Sequence, residues 1–145
     1  MTHTPAPEAT TKAAPASRPF RYVRLAIIAA VAAVANALVF TVGSAAGGSM
    51  VIESPAYSQI TLAMAVFATL VPLLTAGIVV WLIARRWPGF RAVAQWLGLG
   101  VAVLSMASPF VLTDDLTTAI SLAAMHVIAG IAWFFAVATR RGSAR

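Results

Sequence analysis

Four long apolar stretches, separated by short polar breaks, set the pattern of this chain. Residues 25–46, 57–84, 92–112 and 116–139 hold no Asp, Glu, Lys or Arg, and every break between them holds at least one. Each stretch is long enough, at about 1.5 Å rise per residue, to cross a hydrocarbon layer of about 30 Å. In hydrocarbon the backbone must satisfy its own hydrogen bonds within the segment, so the pattern predicts four transmembrane helices. The breaks carry turn and cap signals. Ser54-Pro55 reads as an N-cap followed by Pro at the first position of the second helix, and Thr113-Asp114-Asp115 reads the same way for the fourth. Pro88-Gly89 marks a turn between the second and third. Short connections make neighbouring helices antiparallel, which predicts an all-α, up-down-up-down, four-span transmembrane bundle. Small residues at helical spacing, Ala29, Ala33 and Ala37, then Gly98, Ala102 and Ser105, then Ala119, Ala123 and Gly130, would let the helices approach closely.

Composition supports lipid as the solvent. The 145 residues are 61% hydrophobic and 10% charged, whereas a soluble domain is roughly half apolar and about a quarter charged. A soluble fold this small could not cover so much apolar surface. The chain has no Cys, which excludes disulfides, thiolate metal sites and cysteine nucleophiles.

The net charge of +6 becomes an orientation signal once the bases are located. Lys12, Arg18, Arg21 and Arg24 precede the first stretch, Arg85, Arg86 and Arg91 lie between the second and third, and Arg140, Arg141 and Arg145 follow the fourth. The other two breaks hold Glu53, Asp114 and Asp115 and no base. The positive-inside rule then places both termini and the 85–91 connection in the cytoplasm of a multi-pass protein of the cell membrane. The bases form no stripe that suits nucleic acid, and the expected partners are the lipid bilayer, with attraction to anionic headgroups, and a second copy or another membrane protein. Trp81, Trp87, Trp96 and Trp133, with Tyr22, fall toward the basic side and predict an interfacial aromatic belt, with Tyr57 as the outer counterpart. Residues 1–20, with Pro5, Pro7, Pro15 and Pro19, read as a disordered tail, 21–140 as the membrane domain and 141–145 as a basic tail. Ser44-Ala45-Ala46 resembles a cleavage site, but the apolar run before it exceeds the usual signal core of about 7–15 residues, so the first helix is expected to be retained.

Candidate chemistry is sparse and sits at one depth. His126 lies in SLAAMHVIAG, ten residues into the fourth stretch, which puts it roughly 15 Å deep, near the midplane. Asn36 lies at a similar depth in the first stretch. Pro72 interrupts the second, freeing the Ala68 carbonyl, with Thr69 and Thr75 on either side. Isolated polar groups in hydrocarbon are costly, so these five residues are expected to face inward and meet. Two readings follow: interhelical bonds from His126 to Asn36 or to the Ala68 carbonyl, or a working midplane site with His126 as proton carrier or ligand group. No catalytic, cofactor or metal set emerges. His126 has no second histidine in any span, Asp115 is roughly 16 Å away along the same helix, and phosphate-loop and zinc spacings are absent.

The stretches WLIARRWPGF, QWLGLGVAVLSMASPF and ISLAAMHVIAG resemble a family of small four-helix membrane proteins, found mainly in actinobacteria and described only as a domain of unknown function. The resemblance rests on Trp81 with Arg85-Arg86, on Trp96, Ser105 and Pro109, and on Met125-His126, and spans residues 22–140. It implies a plasma-membrane bundle and no particular activity. Two function classes stay open: a non-catalytic membrane component that packs with itself or a partner, and a small carrier or transporter subunit using the His126–Asn36 level.

Overall fold

The computed structural model describes residues 22–56 and 58–138; the terminal tails and Tyr57 lie outside the described residues. The described chain forms helices α1 (Tyr22–Ala45), α2 (Leu62–Ala84), α3 (Phe90–Ser105), α4 (Pro109–Leu112) and α5 (Leu116–Val137). Four helical segments, with α3 and α4 taken together as Phe90–Leu112, are long and apolar enough to cross a membrane. No strand forms among the described residues; Val51 and Gln59 make one isolated antiparallel bridge.

Helix α5 is the hub. Half of its apolar window is buried, against 6% for the α3–α4 segment. It packs along α1 on one side and α3 on the other, α1 in turn packs on α2, and α2 touches α3 only lightly. Backbones approach where side chains are small. A Cβ on Gly98 of α3 would run into the Trp133 indole of α5, and one on Gly130 of α5 would sit 2.6 Å from the Ala102 Cβ of α3. Trp133 is buried in the main apolar cluster with Ala29, Leu73, Ala94 and Val137, and its Nε1–H donates to the Ala94 carbonyl at 2.8 Å. It is therefore an internal brace and not a member of the interfacial belt. Its contacts with Gly98 and Ala94 turn it toward α3. Trp81, Trp87 and Trp96 are exposed.

Two element boundaries differ from the sequence reading. The second helix starts at Leu62, not 57, and its N-cap is Thr61, whose Oγ1 accepts from the Met64 N–H at 3.2 Å; Ser54-Pro55 does not cap it. Residues 50–56 and 58–60 instead fold back on each other, with Ile52 N–H donating to Ser58 O at 2.9 Å and Ile60 N–H to Met50 O at 2.8 Å. Met50 and Ile52 are buried, so the loop seals the end of the bundle with apolar side chains. The third span is also not continuous. Pro109 has no N–H and its ring excludes the carbonyl four residues back, so the backbone passes through tight turns at 106–108. There the Ser108 hydroxyl donates to the Ser105 carbonyl at 2.8 Å.

Candidate functional site

Each end of α5 is tied to other elements by opposite charge. At its start Asp115 is the N-cap, accepting from the Thr117 and Thr118 N–H groups at 3.0 and 3.2 Å. The same carboxylate accepts from the Ser49 N–H at 2.6 Å and the Thr118 hydroxyl at 2.8 Å. The Ser49 N–H above all, then Thr118, hold the Asp115 carboxyl well below the usual carboxylate range, so it is ionised at neutral pH. The Thr118 hydroxyl also accepts from the Met50 N–H at 3.0 Å, which fastens the sealing loop to α5. At the other end, Arg24 of α1 donates to the Phe135 carbonyl at 2.6 Å, and Arg91 of α3 donates to the Val137 and Ala138 carbonyls at 3.4 and 3.3 Å. Two guanidiniums thus converge on carbonyls that the helix itself leaves without N–H partners, where the helix dipole favours positive charge.

Between these ends, the polar residues expected at the midplane part company. Asn36 and Thr69 meet. Asn36 is 2% exposed, and its Nδ2 donates to Thr69 Oγ1 at 2.7 Å and to the Met125 carbonyl at 3.4 Å, joining α1 to both α2 and α5. The Thr69 hydroxyl passes its own proton to the Ala65 carbonyl at 2.8 Å. Asn36 Oδ1 is buried and has no hydrogen-bond donor among the described residues.

His126 does not bond to Asn36 or to the Ala68 carbonyl. Its Nδ1 lies 2.8 Å from the Leu122 carbonyl, one turn back on its own helix. Pro72 and Thr75 do not join the group either, for both are exposed. The interior face of α2 runs through Ala65, Thr69, Leu73, Gly77 and Val80. At about 100° per residue, Thr75 is turned well away from that face and Pro72 falls at its margin. The Thr75 hydroxyl satisfies itself on the Val71 carbonyl at 2.7 Å.

What remains inside is a three-helix polar junction of Asn36, Thr69 and the Met125 carbonyl, with the His126 ring on the next residue of α5. The junction can hold helices together and accept a hydrogen bond. No cluster of three or more His, Cys, Asp or Glu residues suited to a metal ion occurs among the described residues. The sequence reading took Asp115 as a cap and topology signal and the arginines as topology signals, and so missed the tie to the loop and the arginine clasp. Arg24 and Arg91 begin their helices on the side where α5 ends, and that placement was the available clue.

A family model described as a family of unknown function (DUF6069) matches residues 16–143. No curated protein and no solved structure matches the chain.

Proposed function

Since the chain belongs to a family of unknown function, its role rests on its own geometry, and we propose that it is a non-catalytic, multi-pass component of the plasma membrane that packs with a second copy or with another membrane protein. In this reading the four apolar segments span the bilayer up-down-up-down, with both termini and the 85–91 connection cytoplasmic. The distribution of charge supports that orientation: Arg24, Arg85, Arg86 and Arg91 flank one set of helix ends, and Glu53, Asp114 and Asp115 flank the other.

The observation that favours a packing role is the condition of α3. It leans on α5 and barely touches α2, and large apolar side chains such as Leu97, Val101 and Leu104 are exposed along it. A helix held on one side only is suited to receive another helix. The polar groups inside support the same reading, because most are already engaged in holding helices together. One observation favours the second reading, a small carrier or transporter subunit: the buried Asn36 Oδ1 has no donor among the described residues.

Purification in native-lipid particles, followed by intact-mass measurement, tests the packing role. The expected result is a multiple of the chain mass or a stoichiometric membrane-protein partner. A uniform population of single chains with lipid alone would contradict it.

A further inference from the structure

The C-terminal end of α5 gathers more positive charge than the helix can answer. Arg24 of α1 donates to the Phe135 carbonyl at 2.6 Å, and Arg91 of α3 donates to the Val137 and Ala138 carbonyls at 3.4 and 3.3 Å. These carbonyls belong to the last turn of α5 and its cap. The two guanidiniums therefore reach α5 within about one turn of each other, close enough to repel. A helix C-terminus supplies about half an elementary negative charge against these two positive ones. Among the described residues no carboxylate shares this end. Glu53, Asp114 and Asp115 flank the opposite ends of the helices, and Glu8 lies outside the described residues.

The pair is open to an anion from outside. Both arginines are half-buried, so each keeps part of its surface outward while neighbouring side chains shield the rest from water. Arg24 makes one hydrogen bond among the described residues, through Nη2. A guanidinium carries five N–H donors, in a planar fork that fits a phosphate. The depth of the pair selects the source of that phosphate. Arg24 is the third residue of α1 and Arg91 the second of α3, so in a spanning bundle both sit where the apolar helices meet the headgroups. Just deeper, Ile27 of α1 and Ile131 of α5 are exposed, as is Phe135 at the level of the pair. These apolar side chains can be covered by the acyl chains of the same lipid.

We propose that Arg24 and Arg91 together bind the phosphate of an anionic glycerophospholipid in the cytoplasmic leaflet, which joins the starts of α1 and α3 to the end of α5. The inference rests on the membrane reading and orientation above. A net-anionic headgroup answers the uncompensated charge, whereas a zwitterionic one carries its own cation beside the phosphate. Arg85 and Arg86 differ from the pair. Both are exposed, and Arg85 lies over the Trp81 ring at 5.1 Å, so they attract an anionic surface without converging on one point.

Native mass spectrometry of the full chain in detergent, with phosphatidylglycerol and phosphatidylcholine added in equal amounts, tests it. Phosphatidylglycerol should stay bound under activation that strips phosphatidylcholine. Arg24→Gln and Arg91→Gln should each weaken its retention about fivefold, the worth of one arginine at an anionic surface. The double variant Arg85→Gln with Arg86→Gln should leave it nearly unchanged. Equal retention of the two lipids by the native chain would overturn the site, and so would an equal loss in the Arg85/Arg86 variant. Displacement of the lipid by excess inorganic phosphate would overturn the lipid as its source. Should the Arg24 and Arg91 variants fail to fold, the native chain and the Arg85/Arg86 variant decide. A chain that stays in solution without detergent or lipid would overturn the membrane reading; a detergent-dependent chain without lipid preference would overturn the site alone.

Discussion

Trp133→Ala is expected to lower the stability of the bundle by about 2–4 kcal/mol, close to the range for large-to-small changes in well-packed cores. The indole bridges α5 and α3 in two ways. It fills the space above Gly98, and its Nε1–H occupies the Ala94 carbonyl at 2.8 Å. In the proposed membrane setting the separated helices stay in lipid, so the loss comes from packing and from that hydrogen bond, not from transfer to water. The effect should be concentrated on α3, because α5 is its main support. Thermal unfolding in detergent gives the size, and hydrogen exchange should show α3 opening first; an unfolding temperature equal to that of the native chain would refute the brace.

Gly98→Ala should be damaging for the complementary reason. The added Cβ would overlap the indole, and the indole cannot retreat without giving up its bond to Ala94. Overpacking of this kind costs about 1–3 kcal/mol. Gly100→Ala is the matched control. A Cβ there meets nothing within 4 Å, so the change should be neutral or stabilise by up to about 1 kcal/mol through helix propensity. If Gly98→Ala is as harmless as Gly100→Ala, the close approach of α3 to α5 is wrong. In the double variant Gly98→Ala with Trp133→Ala the costs should be less than additive, since removing the indole makes room for the new methyl.

These two residues also show what the sequence made legible. The four long apolar helical segments were visible because each coincides with a run free of Asp, Glu, Lys and Arg of the length that crossing a lipid layer requires. The depth of a residue follows from counting. Its direction does not, unless the phase of the helix is known. Asn36 and Thr69 share depth and direction and so meet. Thr75 shares the depth but is turned away from the interior face of α2, Pro72 falls at the margin of that face, and Trp133, read as an interfacial anchor, is turned inward. Small residues gave the phase correctly at Ala29, Ala33, Gly98 and Gly130, because close backbone approach requires them. The start of α2 was misplaced because the 50–60 loop pairs with itself and buries Met50 and Ile52, and hydropathy does not distinguish an apolar loop from an apolar helix. The break before Pro109 was legible in principle from the missing N–H. The Leu122 partner of His126 depends on a rotamer choice, and spacing carries no information on that.

The placement of the chain across the membrane is the central claim, and single-cysteine labelling in intact cells tests it most directly. The chain has no cysteine of its own, so each added one reports alone. Gly89, Ser58 and Asp114 are exposed positions in three different connections. Ser58→Cys and Asp114→Cys should react with a membrane-impermeant maleimide added outside, and Gly89→Cys should react only after the cells are opened. Labelling of Gly89→Cys from outside, with Ser58→Cys and Asp114→Cys protected, would contradict the orientation. Equal labelling of all three in intact cells would contradict the spanning of the membrane itself.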